Sequence, residues 1–531
     1  VPVGSCTGIG PDSGGATAKT TYHSLSLYWS PSGGSSTKTV IVKYRKKGDC
    51  SWRNGLPIKY NPISGNADYR GSIVNLTPNT EYEIELTLEG TSTTSTVNSK
   101  TWTENPPEGT VTTIPNGSLT YNITGSGTVT AYRVYDGKGA TIDVANNSDN
   151  GININASNII LRNINVKGAK THGIRISGGK DIIIENCDVS GWGQIEGPNG
   201  FGQNYNSGIY SSNTSIERVT VQRCKIHHPR TDANSWSEDS GVPTTGSFHP
   251  RGPQCITFFD SLGNHVLRYN ECYSDFTHQF NDGFGAGSNS SLNGFPGPDS
   301  DIYNNYVSNT WDDGMEIEGG GKNVRVWNNY IENAFIPYAN ASVTIGPLYL
   351  FRNVSGRSDS SSETTNNSPG YFLKAGYASS ESNMNGAIYL FNNTVTQPNN
   401  EGAGGFGSAG TGNRIVKHTT SRNNVLQVRS GTTYCTANNA SNSDNDLDYD
   451  LCTAAYPSGY QTHKITGSPI YTNGGSFNFS TKTGDFRLSP GSPGFSAGYI
   501  IPNFSDGFSG NAPDLGAQQN NESPMKYGTQ S

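Results

Sequence analysis

Acidic side chains are concentrated in two short segments of the chain, and a lysine follows in a third. The segments are Asn281-Asp282-Gly283, residues 311–318 (Trp-Asp-Asp-Gly-Met-Glu-Ile-Glu) and Leu373-Lys374-Ala375-Gly376. Carboxylates that lie close together repel one another, so they must share protons or bind a cation. A ligand set made only of oxygens suits Ca²⁺ rather than zinc. These residue types predict a cation site or a group of acids and bases, provided that the fold brings them together.

Internal repeats indicate which fold this is. Segments of the form "aromatic or polar, Asn, two residues, apolar" recur, and the most closely spaced are about 24 residues apart. This period predicts the coils of a right-handed parallel β-helix over residues 111–531, with a C-terminal segment that caps the last coil. Stacked, the segments place asparagines in one register, where we expect them to satisfy turn backbone groups. The row comprises Asn163, Asn186, Asn270, Asn304, Asn328, Asn353, Asn392 and Asn423, with Cys187 and Cys224 as reduced apolar fillers one position further on.

A second family of short strands, usually opened by Gly, precedes the Asn segments and carries the acidic residues. Period-two alternation directs Met315 inward and Glu316 and Glu318 outward, onto a face that forms a long groove. Adjacent coils lie about 4.8 Å apart. We therefore expect Asp282, Asp313 and Glu316 to converge in one small patch of this groove.

The order and spacing of these segments resemble the family-nine pectate lyases, which are β-helices with a "DG … DDG-x-D … FKLGG" signature. In that family acidic residues hold calcium and a lysine is the base. The resemblance implies that Asp282, Asp312, Asp313 and Glu316 bind Ca²⁺ and that Lys374 is the base. It implies a β-elimination on a uronate-containing polysaccharide, in which calcium stabilises the developing charge and Lys374 removes the C5 proton. For this the lysine must be neutral, and a nearby cation lowers its pKa.

Further residues are candidates for catalysis and for sugar binding. The catalytic candidates besides Lys374 are Asp313, Glu316, Glu318, His249 and His278. The acid that protonates the leaving oxygen is not identified by the sequence, and the candidates are His249, Arg251, His278 and water. The candidates for substrate binding are Arg251, Trp311, Phe284 and Tyr377, since aromatic rings stack on sugars.

Two other functions remain open. The "NDG … DDG" order also resembles the polygalacturonase hydrolases, in which one carboxylate protonates the leaving oxygen and another activates water or attacks the sugar. The Gly-His-Gly and Arg-Ile-Lys motifs of that family are missing, which argues against a polygalacturonase. This objection does not apply to a hydrolase of another β-helix family that acts on a sulfated algal glycan. A carbohydrate-binding or adhesin β-helix predicts an evenly decorated groove, whereas the acids here are concentrated on two coils. The sequence favours a lyase over a hydrolase, and either enzyme over a binding protein.

Residues 1–105 show the alternating, turn-punctuated pattern of a β-sandwich. The string from Leu76 to Tyr82, Leu-Thr-Pro-Asn-Thr-Glu-Tyr, resembles the tyrosine corner of fibronectin type III domains, where a Tyr hydroxyl closes a loop between strands. The resemblance implies a fibronectin type III-like sandwich in which Trp29 and Tyr82 are structural. Residues 106–110, rich in Pro and Glu, predict a linker.

Composition restricts the partners and the compartment. A formal charge of -7 and a pI near 5.7 argue against nucleic acid, and no apolar run approaches the length of a membrane span. Eight cysteines without a CxxC motif favour disulfides, with Cys435–Cys452 and Cys6–Cys50 as the preferred pairs. We therefore expect a secreted, monomeric, all-β enzyme that acts on a polysaccharide and contacts neither nucleic acid nor membrane.

Overall fold

The computed structural model describes residues 6–531, apart from 64, 67, 244–247, 288, 290, 341–342, 359–369, 376–385, 408–415, 437–443 and 457. The described chain is all-β and contains long parallel sheets. Its 3₁₀ helices are Pro398–Asn400 and Gly528–Gln530. No described helix has the length and hydropathy that a bilayer span requires.

Eight strands form an antiparallel N-terminal unit in the spatial order β1-β2-β6-β5-β3-β7-β8, with β4 beside β3. They are β1 (Thr17–Thr20), β2 (Leu25–Trp29), β3 (Thr39–Lys46), β4 (Arg53–Asn54), β5 (Ile58–Asn61), β6 (Asp68–Ile73), β7 (Glu81–Leu88) and β8 (Thr94–Lys100). Alternating apolar residues give the unit its own core, which includes Trp29 and Tyr82. The backbone N–H of Thr77 donates to the Tyr82 hydroxyl at 2.8 Å, the contact that closes a tyrosine corner.

From Glu108, inside the predicted linker, the strands stack in parallel as a stacked-coil domain. Its first strands are β9 (Glu108–Thr113), β10 (Tyr121–Ile123), β11 (Tyr132–Asp136), β12 (Thr141–Asp143), β13 (Asn150–Asn155), β14 (Ile159–Arg162), β15 (Asn165–Lys167), β16 (His172–Gly178), β17 (Lys180–Glu185), β18 (Asp188–Ser190), β19 (Ser207–Ser211), β20 (Glu217–Gln222), β21 (Lys225–His227), β22 (Gln254–Phe258), β23 (Val266–Arg268) and β24 (Glu271–Tyr273). The later strands are β25 (Phe284–Gly285), β26 (Asp301–Tyr303), β27 (Tyr306–Glu316), β28 (Val324–Trp327), β29 (Tyr330–Asn340), β30 (Leu348–Phe351), β31 (Val354–Ser355), β32 (Tyr371–Ala375), β33 (Ile388–Phe391), β34 (Thr394–Val395), β35 (Gly404–Gly407), β36 (Thr419–Arg422), β37 (Val425–Leu426), β38 (Asp446–Leu447), β39 (Leu451–Cys452) and β40 (Ile465–Thr466). A small antiparallel sheet follows, of β41 (Phe477–Asn478), β42 (Thr483–Gly484) and β43 (Met525–Lys526).

Two long sheets line the sides of the coils. Twelve strands from β9 to β38 form one sheet, and twenty strands from β10 to β40 form the other, which holds two strand families joined through the long strands β27 and β29. Successive coils that stack in this way are compatible with a parallel β-helix. One family stacks β22, β25, β27, β29, β32 and β35 in register. Its inward row forms part of the core and runs Ile256, Phe284, Met315, Tyr338, Leu373 and Phe406.

The asparagines fall into two adjacent registers rather than the single one predicted. Six of the predicted asparagines occupy a turn position with positive φ: Asn163, Asn186, Asn304, Asn328, Asn392 and Asn423. The next position in each coil points inward and carries a ladder of buried side-chain amides, in which Nδ2 donates to Oδ1 of the following coil. This asparagine ladder is Asn270, Asn305, Asn329, Asn353, Asn393 and Asn424, ending on Asp450. Hydrogen bonds to backbone carbonyls complete each amide, so the ladder satisfies turn groups that have no strand partner.

The cysteines include both predicted pairs. Cys6–Cys50 and Cys435–Cys452 are disulfides, as is Cys255–Cys272, which the sequence analysis did not predict. Cys187 and Cys224 are buried free thiols. Cys224 lies in the register of the ladder, and its backbone N–H donates to Asn270 Oδ1 at 3.0 Å.

The N-terminal unit packs against the twelve-stranded sheet through buried polar contacts. Arg325 and Asp301, both 0% exposed, form an ion pair of 2.6 Å, and Arg325 also donates to the Ser26 hydroxyl at 2.5 Å. Arg268 pairs with Glu104 at 2.5 Å and lies over the Tyr22 ring. The two units therefore share a desolvated interface.

The C-terminal segment covers more than the end of the stack. Leu488 and Leu515 pack against Val425 and Leu451 on the late coils, as a cap would. The chain then returns along the side of the coils, where the Gly528 N–H donates to the Asn304 carbonyl. This return path was not predicted.

Candidate active site

Lys374 and Glu316 lie in one outward row of side chains, two coils apart. Glu316 pairs with Ala339, Ala339 with Lys374, and Lys374 with Gly407 on successive strands. On the other side of Glu316, a Cβ at Gly285 would lie 2.9 Å from Glu316 Cβ and Oε2, so this position leaves room for the carboxylate. Ala339 is small enough for the lysine chain to extend back across its coil toward the acids.

The predicted convergence of acids and lysine is present. Lys374 Nζ lies 2.6 Å from Asp313 Oδ2 and 3.7 Å from Glu318 Oε1. Carboxylate oxygens of Asp282, Asp312 and Asp313 lie within 4.8 Å of one another, and so do those of Asp313, Glu316 and Glu318. We call these five acids the carboxylate cluster. All five are buried, on the outward face that the sequence predicted as an open groove, and loop residues contact them: Asn289 donates to Glu318 and His249 lies against Asp312.

Asp282 is held by three donors. Gln254 Nε2 donates to Asp282 Oδ2 at 2.7 Å and Asn281 Nδ2 to the same oxygen at 3.0 Å, while the Asp313 N–H donates to Oδ1 at 3.1 Å. The Gln254 contact was missed in the sequence. Its only signal was an outward position on the coil before Asp282, which many structural side chains share.

Burial prevents the cluster from being fully ionised. Desolvation, followed by the charge of Asp312, raises the pKa of Asp282 to about 8 in spite of its donors. Desolvation also raises the pKa of Glu316 well above its usual range, and Asp282, Glu318 and Asp313 add to the rise. Among the described residues no hydrogen-bond donor reaches the Glu316 carboxyl, so no protein contact compensates a charge there. Burial raises the pKa of Asp313 well above its usual range too, but there the Lys374 ammonium ranks higher among the opposing contributions. Of these two carboxyls, Glu316 is therefore the better suited to retain a proton.

Lys374 is held as an ammonium. Burial lowers its pKa, but the carboxylates of Asp313, Glu318, Asp312 and Glu316 outweigh burial and raise the pKa well above its usual value. The sequence analysis expected a neutral lysine beside a cation. In the protein alone, the lysine itself supplies the positive charge.

The residues also fit a calcium ion. The donors are oxygens only, and Asp313 belongs to both groups of three carboxylates. Asp313 Oδ1 is buried without a hydrogen-bond partner, as is the neighbouring Asn281 Oδ1. Two unpaired acceptors beside several carboxylates form an environment that a hard cation would stabilise.

His249 and Trp311 lie at the cluster. His249 Nε2 is 3.4 Å from Asp312 Oδ2, and the histidine side chain is 48% exposed. Its ring contacts Trp236 at 4.6 Å between centroids, and Trp236 Nε1 donates to the Trp311 carbonyl at 3.1 Å. Trp311 is 4% exposed, so the accessible aromatic ring beside the acids is Trp236.

Other predicted residues lie elsewhere. Phe284 is in the hydrophobic core with 0% exposure, which corrects its predicted role in sugar binding: the residue before Gly285 points inward. His278 pairs with Asp275 at 3.3 Å on a surface loop. Arg251 pairs with Glu196 at 3.0 Å. Tyr377 lies outside the described residues.

The arrangement combines carboxyls that retain protons with a carboxylate neutralised by a lysine. Such a site can donate a proton, accept one, attack an electrophilic carbon or bind a hard cation. No model of a protein family matches the chain, and no curated protein matches its sequence.

Proposed function

We propose that this chain cleaves glycosidic bonds of an acidic polysaccharide by hydrolysis at the carboxylate cluster. The observation that carries the proposal is the contrast between two neighbouring acids. Burial raises the pKa of both carboxyls well above the usual range. Asp313 lies 2.6 Å from the Lys374 ammonium, which opposes the rise there, whereas no hydrogen-bond donor of the described residues reaches the Glu316 carboxyl. Two titratable groups with opposed environments are the usual signature of an acid and its partner base.

In this mechanism Glu316 donates its proton to the glycosidic oxygen as the bond to the anomeric carbon breaks. Asp313, the carboxyl that lies against the Lys374 ammonium, attacks that carbon as its carboxylate form, and water later releases the sugar while Glu316 recovers a proton from the water. The carboxylate oxygens lie within 4.8 Å, nearer to the roughly 5 Å of retaining enzymes than to the separation of about 6.5–9.5 Å in inverting ones. We therefore propose retention of configuration.

Calcium-assisted elimination is the second candidate, favoured by the unpaired, buried Asp313 Oδ1. Asp282, Asp312, Asp313 and Glu316 would hold the ion, which would neutralise a uronate carboxylate when bound. Lys374 would then face less uncompensated negative charge and would take the C5 proton as a neutral amine.

We also infer the finer features of the fold. The stacked coils and inward rows support a right-handed parallel β-helix, and the Thr77–Tyr82 hydrogen bond supports a fibronectin type III-like sandwich. The three disulfides support an oxidising, extracellular location. A monomer remains our prediction for the assembly.

Digestion of polygalacturonate, alginate, ulvan and fucoidan, each with and without chelator, tests both mechanisms. Hydrolysis produces new reducing ends without ultraviolet absorbance, whereas elimination adds the absorbance of a C4–C5 double bond. Absorbance that grows only with calcium, and is abolished by Lys374→Ala with calcium still bound, would replace hydrolysis by elimination. No cleavage of any acidic polymer, by a folded protein, would refute both.

A further inference from the structure

A cleft between the two units of the molecule lies away from the carboxylate cluster. It is a cleft of about 700 Å³ between the N-terminal unit and the stacked coils, a size common among ligand sites. Lys38, Lys59 and Tyr60 line one wall, and Tyr389 and Thr420 line the other. We call it the lysine cleft.

The two walls of the lysine cleft are fixed to each other. Asn61 Nδ2 donates to the Ile345 carbonyl at 2.8 Å, and the buried Arg70 Nε donates to the Gly346 carbonyl at 3.1 Å. Both bonds cross from the N-terminal unit to the coils. A site with fixed walls loses little conformational entropy when a ligand binds.

The charge of the lysine cleft is opposite to that of the protein, which carries -7. Thr39, the first residue of β3, pairs with Lys59 on β5, so Lys59 and Lys38, the residue before β3, lie close together on one wall. Neither lysine forms an ion pair with a described residue, while the acid of the cleft, Asp444, is paired with His418 at 2.8 Å. Two ammonium groups are therefore available to an anionic ligand.

We propose that the lysine cleft is a second, non-catalytic binding site for an anionic stretch of polysaccharide. The ammonium groups suit carboxylate or sulfate substituents, the Tyr60 ring suits the face of a sugar, and Thr420 supplies a hydroxyl. The substrate class comes from the proposed function, but the site requires none of its chemistry. Its effect is to hold the polymer while the carboxylate cluster cleaves it elsewhere on the same molecule.

Affinity electrophoresis through gels containing fucoidan, alginate or neutral dextran tests this site, with Asp313→Asn present in every protein to prevent cleavage. We expect Lys38→Gln/Lys59→Gln to raise the dissociation constant for an acidic polymer about tenfold at low salt. Thr420→Glu adds a negative charge on the opposite wall and should also raise the dissociation constant for an acidic polymer. Lys43→Gln/Lys100→Gln removes the same charge from exposed positions outside the cleft and leaves the affinity unchanged.

Unchanged affinity in the Lys38/Lys59 variant, or an equal loss in the Lys43/Lys100 control, would overturn the proposal. Folding of each variant is checked by its thermal unfolding midpoint. Cleavage of acidic oligosaccharides by the unsubstituted protein is measured separately through reducing ends. Lysine-dependent binding without cleavage would refute only the proposed hydrolysis, and cleavage without lysine-dependent binding would refute only the second site.

Discussion

Burial and neighbouring carboxylates raise the pKa of both Glu316 and Asp313, and the Lys374 ammonium opposes the rise at both, ranking higher among the causes at Asp313 than at Glu316. The difference arises from position in the row: Lys374 extends past Ala339 and reaches Asp313, and no described donor reaches Glu316. One strand thus holds two acids of which one lies against an ammonium group and the other does not. This difference is what a proton donor and its partner require.

Replacing Glu316 by Gln removes the proposed proton donor with little change in shape. We expect kcat to fall about 10²–10⁴-fold with a small change in KM, because the loss is confined to the proton transfer. Steady-state kinetics on the best polymer of the panel measures this. Glu185→Gln, on the twelve-stranded sheet, is the matched control and should retain full activity. An active Glu316→Gln enzyme would assign the proton to another group.

The raised pKa of Asp282 makes a specific prediction for stability. Its usual pKa is about 3.9 and its folded value is about 8, so the folded state binds the extra proton between these values. The stabilisation is fully present below about pH 4 and is lost as the pH rises toward about 8. In chelator, the unfolding temperature of the unsubstituted protein should fall from pH 5 to pH 8 by more than that of Asp282→Asn. Equal changes in the two proteins would contradict the raised pKa.

Sequence spacing was enough to bring the acids and Lys374 together, because register in a stack of coils follows from the repeat. It was not enough to predict their protonation. The pKa of Lys374 depends on the loops that bury the site and on a reach across Ala339, and neither is visible in a motif. Phe284 was predicted to bind sugar because of its aromatic ring alone, whereas it lies beside Met315 at an inward position of the coil.

At the level of elements, one buried side-chain amide per coil adds to the strand pairing that joins it to the next coil of the asparagine ladder. Asn329, with 0% exposure, donates to the Ile302 carbonyl and to Asn353 Oδ1, both at 3.0 Å, and accepts from Asn305. The sequence predicted a structural asparagine row but merged it with the neighbouring turn position. Both positions favour Asn, one for its side-chain hydrogen bonds and the other for its tolerance of positive φ, so residue type alone cannot separate them.

Asn329→Ala should therefore destabilise the domain strongly. It leaves buried partners on two neighbouring coils unsatisfied, at a cost of about 3 kcal/mol. The midpoint of urea unfolding measures the loss. The adjacent Asn328→Gly is the control, since Gly readily adopts the positive φ of 51° at that turn and the variant should remain close to the original stability. A larger loss in Asn328→Gly would mean that the turn, not the ladder, dominates.

For the whole molecule, the decisive contacts join segments far apart in the sequence. The N-terminal unit and the coils are joined by the Arg268–Glu104 ion pair and by the hydrogen bond from the buried Arg325 to the Ser26 hydroxyl, and the C-terminal segment returns from the last coils to Asn304. The sequence predicted two units and a linker, since each has its own strand pattern. It could not predict their interface, because an arginine in a strand gives no indication of which distant surface will cover it.

Arg325→Met tests how far the two units depend on each other. The variant leaves the buried Asp301 without its cation, with the Thr21 hydroxyl still donating to it, which costs about 3–5 kcal/mol. We expect a lower thermal midpoint and faster proteolysis near residues 101–107, as the N-terminal unit separates. The double variant Arg325→Met/Asp301→Asn removes the stranded charge and should recover part of the loss. Proteolysis equal to that of the original protein would show that the apolar contacts alone hold the interface.

The asparagine ladder has a direction, and its direction fixes where it can stop. Each side-chain amide donates a hydrogen bond to the residue of the following coil. The last residue of the ladder must therefore accept a hydrogen bond without having to donate one in turn. Asp450 does this: one oxygen accepts from Asn424 and the other from Gln461 and Ser421. An asparagine in this register therefore needs an acceptor on the following coil, whereas an aspartate does not. Lengthening this protein by whole repeats would require new asparagines ahead of Asp450. An aspartate placed earlier in the row would donate no hydrogen to the next coil and would interrupt the ladder there.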